Sequence, residues 1–183
     1  MKKTRAETVE KVFRSFISKY PEPKAVILSS VCALEDDLRP LGLYNQKSVA
    51  LKKIATDIIN DYNGMIPTDQ QTLAKLPHVG LYISNAVACF CYRKRTAVVD
   101  TNVARILARV KGLELPKDAR EKWIWKLAAE MLPNEMWREY NFGLLDLGAI
   151  ICKKLPRCPI CPLIDICTYG KNFQSSTVPR RSP

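Results

Sequence analysis

The feature that most restricts the fold of this chain is a run of four cysteines near its C-terminal end, Cys152-x5-Cys158-x2-Cys161-x5-Cys167. Pro156, Pro159 and Pro162 interrupt the run. Proline lacks an amide donor and clashes with the preceding turn, so no regular helix can span this segment. Four thiols on such a loop can close around one metal centre, and thiolates suit both zinc and iron–sulfur clusters. Zinc sites more often oppose two Cys-x-x-Cys pairs, whereas here one pair is flanked by a longer reach on each side. The spacing favours a [4Fe-4S] cluster, with zinc as the alternative and four small core residues as the plainest reading.

The chain's 183 residues suffice for one domain or two small ones with a real core. Lys and Arg number 29 against 18 Asp and Glu, a net charge of +11. A surplus of that size points to a polyanionic partner, most often nucleic acid; a solvated basic surface is the bland alternative. His78 is the sole histidine, which all but excludes histidine metal sites and Ser–His or Cys–His catalysis. No apolar run reaches the roughly 18–20 residues that span a bilayer, so no membrane partner is expected. The start, MKKTRAETVEKV, is basic with no apolar stretch behind it, so a secretion signal is not expected. Cytoplasmic residence follows, where thiols stay reduced.

Helical periodicity runs almost throughout. Residues 7–19 set Val9, Val12, Phe13, Phe16 and Ile17 on one face, and Pro21 and Pro23 stop that helix. Further helices are predicted over 23–33, 35–40 and 45–62, the last closed by Asn63-Gly64. Thr68 and Gln71 frame a capping box for 68–75. Helices over 81–92, 101–112, 117–132 and 136–152 complete the pattern, with Asp100 as N-cap and Gly112 as terminator of the third last. No strand pair and no repeat is visible, so the fold class is all-α. The tail from Gln174 (QSSTVPRRSP) is polar and basic and reads as disordered.

Between two of these helices stands Leu76-Pro77-His78-Val79-Gly80. Its apolar residues can anchor a hairpin while proline and glycine set the bend. The helix that follows offers free backbone N–H groups to a phosphate oxygen, a contact that positions DNA without reading it. A structural loop between core helices is the competing reading. Beyond the hairpin, Asp100 opens a helix. An aspartate there is usually only a cap, but a carboxylate at a helix N-terminus can also support a cationic sugar or direct a water onto C1′. Tyr82 follows the hairpin glycine by two residues; it is either an ordinary aromatic at a helix start or a group beside the bound strand.

Taken together, LPHVGLY (76–82), VVDTNVARIL (98–107), NFGLLDLGAIIC (141–152) and the cysteine quartet resemble the helix–hairpin–helix, Gly/Pro-Asp (HhH-GPD) superfamily of DNA glycosylases. The similarity is to its iron–sulfur branch around endonuclease III. The resemblance implies two all-α lobes: a helical barrel lobe at 1–95 with the hairpin, and a cluster lobe at 96–170 with the catalytic aspartate. Residues 171–183 remain as a disordered basic tail. It implies double-stranded DNA with a mismatched or damaged base as partner, lying across the cleft between the lobes with the target nucleotide flipped out. A monomer in the cytoplasm (nucleoid-associated), or in the nucleus of a eukaryote, is the matching expectation.

By the same resemblance Asp100 is the catalytic carboxylate and Asn102 its partner. Leu76, Pro77, His78, Val79 and Gly80, with Lys2 and Lys3, contact DNA. Cys152, Cys158, Cys161 and Cys167 hold the [4Fe-4S] cluster. Endonuclease III-like enzymes carry a nucleophilic lysine two residues after the hairpin glycine, whereas this chain has Tyr82, whose phenol is a poor substitute. A monofunctional glycosylase that leaves an abasic site, with weak or no lyase activity, is therefore implied. Tyrosine there is similar to glycosylases of mismatched thymine or uracil and to some adenine glycosylases. Lys2-Lys3-Thr4, GLYNQK (42–47) and INDYNG (59–64) lean to the first; VVDTNVAR also resembles the second. A non-catalytic DNA-binding module and a structural zinc protein are the readings from other classes.

Three departures from the family pattern carry expectations. Relatives have a helix before the position of Met1, so either the true start lies upstream or the form is shortened, and a shortened form would expose apolar surface on its first helices. The first cysteine gap is one residue shorter than is usual. His78 replaces a hairpin glycine, at a position where a left-handed backbone would favour glycine.

Overall fold

A computed structural model of the chain describes residues 6–177. Every regular element in that span is helical, and among the described residues there is no strand. None of these helices is long and apolar enough to cross a membrane. The chain divides into two compact units, the first ending at Gly80 and the second starting at Leu81.

The first unit contains α1 (Ala6–Lys19), α2 (Pro23–Leu28), α3 (Val31–Leu38), α4 (Tyr44–Tyr62) and the short α5 (Gln70–Leu73). Its core joins Tyr20, Val26, Leu34 and Ala55, with Phe16 and Leu51 packed on them. α1 turns Val12 inwards but leaves Val9, Phe13 and Ile17 at the surface, so its apolar face is only partly used. The helix expected over 23–33 is two helices. Ser29 is extended, and Ser30 caps α3 by accepting the Ala33 N–H on its hydroxyl at 3.1 Å. Lys52 of α4 donates to the carbonyls of Ile27 and Ser29, which covers the carbonyl end of α2. Asn63 and Gly64 close α4 with positive φ, as predicted. The next cap is Asp69 rather than Thr68: its carboxylate accepts the Thr72 N–H at 2.8 Å and opens a helix shorter than expected.

The second unit contains α6 (Leu81–Phe90), α7 (Thr101–Lys111), α8 (Lys122–Met131), α9 (Trp137–Ile150) and α10 (Thr168–Thr177). α7 is central and packs against α8, α9 and α10. Val99, Val103, Ile106, Leu107, Ile124 and Leu144 form the core around it. The division into units falls at 80/81, ahead of the lobe boundary expected at 95/96, and α6 is bound to α9. Arg138 donates to the Phe90 carbonyl, Asn141 reaches Cys89 and Thr96, and the Phe90 and Phe142 rings stack at 4.2 Å. α8 begins later than 117 because Glu121 accepts the N–H groups of Lys117 and Asp118, which holds 117–121 as a loop.

Of the tail expected from 171, the described part to Thr177 belongs to α10. Its first turn is seated on the end of α7. Gly112 has φ 67°, and a Cβ there would come within 2.6 Å of the Thr168 methyl. The Thr168 hydroxyl donates to the Val110 carbonyl at 3.0 Å. Residues 178–183, like Lys2 and Lys3, lie outside the described residues.

Candidate functional site

At the end of the first unit the chain turns sharply. Val79 N–H donates to the Leu76 carbonyl at 3.2 Å, with Pro77 second in the turn and His78 third at φ 60°. A turn with proline second and a positive φ third is type II, which normally takes glycine there. Thus Pro77 and His78 make the bend. Gly80, expected to share in it, has no positive φ, and a Cβ on it would meet nothing within 4 Å. Leu76 is buried and anchors the turn, while His78 and Gly80 are exposed. The first turn of α6, in the second unit, leaves Leu81 and Ile83 exposed and Tyr82 partly covered, at 43% exposure.

Asp100 is the N-cap of α7, with extended backbone. Its Oδ1 accepts the N–H groups of Asn102 and Val103, both at 2.8 Å, and its Oδ2 accepts from Asn102 Nδ2 at 3.0 Å. Cap and site are therefore one arrangement: the donors that start the helix also fix the carboxylate. Asn102 Oδ1 in turn accepts from Arg105 Nη2 at 3.1 Å. Arg105 Nε and Nη2 both donate to the Cys152 carbonyl, at 3.0 and 2.6 Å. Hydrogen bonds thus run without a break from Asp100 to the backbone of the first cysteine of the quartet. Gly148 permits the close approach of α9 to α7 here, since a Cβ would come within 2.6 Å of Asn102 Cβ.

The segment that leads into Asp100 is held by Asn141, whose side chain is fully buried. Asn141 Oδ1 accepts the Val98 N–H at 2.9 Å, and Nδ2 donates to the carbonyls of Thr96 and Trp137 at 3.0 and 2.8 Å. Tyr82 lies near enough for Asp100 to act on it. Burial first, and the Asp100 charge second, hold its phenol above the ordinary value.

The four cysteines line one small cavity, partly open to solvent, together with Arg109, Ile151, Pro156, Ile164, Tyr169 and Gly170. All four are free thiols. Among the described residues no three Cys, His, Asp or Glu side chains are grouped so as to hold a metal ion. The shorter first gap still delivers Cys152 to the cavity, because Lys153 and Arg157 N–H groups both fold back onto the Ile151 carbonyl. Burial pushes the Cys158 thiol up, reinforced by Cys152, Cys161 and Cys167 and opposed by Arg109.

Within the second unit the structure therefore brings Asp100 and Asn102 together, leaves Tyr82 within range of the Asp100 charge, and sets the four cysteines around one cavity. Arg105, Arg109 and Asn141 were not singled out from the sequence. One signal was available: Asn102, Arg105 and Arg109 are polar at helical spacing on a helix with an otherwise apolar inner face.

Residues 2–130 match the family model described as HhH-GPD superfamily base excision DNA repair protein. The chain is 33% identical over 171 residues to a thymine/uracil-DNA glycosylase of Methanothermobacter thermautotrophicus, covering 92% of this chain and 77% of that one. It is 36% identical over 180 residues to an adenine DNA glycosylase of Mycobacterium tuberculosis, covering 92% of this chain but 56% of the relative. A solved structure of a thermostable thymine-DNA glycosylase superposes with a TM-score of 0.86 at 32% identity, over 93% of this chain and 80% of that one.

Proposed function

We propose a function from one premise: the chain belongs to the HhH-GPD superfamily of base excision DNA repair proteins, whose members similar to it are DNA glycosylases. Within that family we read it as a monofunctional glycosylase that removes thymine or uracil opposite guanine from duplex DNA and leaves an abasic site. The observation that carries this reading is Tyr82 two residues after Gly80, within range of the Asp100 charge. A bifunctional enzyme needs an amine that attacks C1′ and remains attached as a Schiff base. The side chain two residues after Gly80 is instead a phenol held above its ordinary pKa, which stays neutral near pH 7.

Asp100 then acts without a covalent partner. Its carboxylate, fixed by two amides and Asn102, supports positive charge at C1′ as the glycosidic bond breaks, or directs a water there. The exposed turn at Leu76–Gly80 supplies phosphate contacts, and Gly80 leaves room for a close backbone. The protein works as a monomer wherever genomic DNA is kept.

The cysteine cavity is read as the seat of a [4Fe-4S] cluster held by Cys152, Cys158, Cys161 and Cys167. Four free thiols around one cavity suit a metal–thiolate centre, and one Cys-x-x-Cys pair flanked by a longer reach on each side favours a cluster over a lone zinc ion. When bound, the cluster braces the loop from 152 to 167; the base is cut at Asp100.

Duplex oligonucleotides test the reading. Base release from T·G or U·G, with strand breakage only after alkali, is the expected result. Release confined to A·G or A opposite oxidised guanine would move the protein to the adenine branch, which the mycobacterial relative favours. Breakage without alkali would refute the monofunctional assignment.

A further inference from the structure

We infer that Arg109 is the positioning residue of the cysteine cavity: it holds Cys152 for a metal–thiolate centre and balances that centre's negative charge. The inference rests on the iron–sulfur reading above. Arg109 is only 7% exposed, an unusual place for a permanent cation. Among the described residues no carboxylate forms an ion pair with it. A buried charge without a counter-charge is strongly unfavourable, so the fold must place negative charge beside it. What it faces is the ring of thiols.

Its contacts bind both ends of the quartet. Nη1 donates to Cys152 Sγ at 3.4 Å and to the Lys153 carbonyl at 2.7 Å, and Nη2 donates to the Lys154 carbonyl at 3.0 Å. The Arg109 carbonyl accepts from Cys167 Sγ at 3.6 Å. The guanidinium lies over the Tyr169 ring at 4.8 Å, so one face is closed from water. Nε is buried with no partner in the protein. The planar fork, rather than charge alone, spans the thiol and both carbonyls of the shortened first gap. A lysine could supply the charge but not that geometry.

A centre with four thiolate ligands is anionic, and its potential follows local charge and hydrogen bonds to sulfur. Removing Arg109 destabilises the more reduced, more negative state and loosens the Cys152 corner. The test compares full-length wild type, Arg109→Lys and Arg109→Met, all purified without oxygen. Iron per chain, the rate of iron release to a chelator and the reduction potential are measured. Arg109→Met is expected to release iron about 10–100-fold faster and to shift to a more negative potential. Arg109→Lys should keep most of the potential but still release iron faster. Wild-type rates and potential in Arg109→Met would overturn the inference. If that variant does not fold, a folded Arg109→Lys with an unchanged release rate overturns it equally. Wild-type protein that takes up no iron would remove the iron–sulfur reading itself, and this inference with it.

Discussion

The two units of this chain are both helical, yet they are held together by different means. Residues 6–80 carry nine Lys and Arg against nine Asp and Glu, whereas residues 81–177 carry fifteen against nine. In the first unit Ser48 is the one buried polar side chain among the described residues; the second unit buries Ser84, Asn85, Asn102, Arg109 and Asn141. Apolar packing with capped helices suffices to hold a scaffold whose product is a surface turn. The second unit accepts the cost of dehydrating polar groups: Asn102 and Asn141 are tied to Asp100 or to the segment before it, and Arg109 to the cysteine loop. A hydrogen-bonded interior fixes direction as well as distance, which apolar contact does not.

The largest effect expected from breaking this arrangement is on chemistry. Asp100→Asn keeps a good N-cap, so the fold should change by less than about 1 kcal/mol. Base release in single-turnover assays should nonetheless fall by about 100-fold or more. Next in size is a contrast between the two interiors. Asn141→Leu strands the Val98 N–H and the Thr96 carbonyl and should cost about 2–5 kcal/mol in denaturant unfolding. Leu34→Ala in the first unit should cost a similar 2–5 kcal/mol by leaving a cavity. Rates normalised to folded protein should drop for Asn141→Leu only, because only that variant releases the segment before Asp100. Equal loss in both would erase the distinction drawn between the units.

The smallest effect concerns the polar join of the first unit. Asp37 accepts from Lys19 Nζ and the Tyr20 hydroxyl, both at 2.7 Å. Burial alone would raise its carboxyl, but these hydrogen bonds and the Lys19 charge bring it below the ordinary value. A depressed carboxyl contributes stability that is present above about pH 4 and lost as pH falls through the lower folded value. Asp37→Asn should therefore be less stable than wild type by about 1 kcal/mol or less at pH 7. The gap should close in acid, as thermal melts over a pH series would show.

How much of this could be read beforehand differs between backbone and side chain. The all-α class, most helices from α4 onwards, the Asp100 cap and the Gly112 stop rest on periodicity and on end signals that act within one turn, so the linear order of residues suffices for them. Local competition explains the misses in the first unit: Ser30 and Asp69 captured amides that the wider pattern assigned to continuous helix or to Thr68. The left-handed His78 was legible only as a question, because a histidine carries no mark of the φ it will adopt.

The sequence by itself determined most of the helices, the quartet and the cap at Asp100, since propensity, capping and thiol spacing are local. Only the tertiary structure decided that α6 belongs with α9, that α10 extends to Thr177 and that Arg105, Arg109 and Asn141 matter. Those depend on partners 43 to 58 residues away along the chain, and packing alone brings such groups within reach of one hydrogen bond. The cysteine run that first restricted the fold is bound in this way to Asp100 through Arg105 and Asn102, a path that no spacing of cysteines announces.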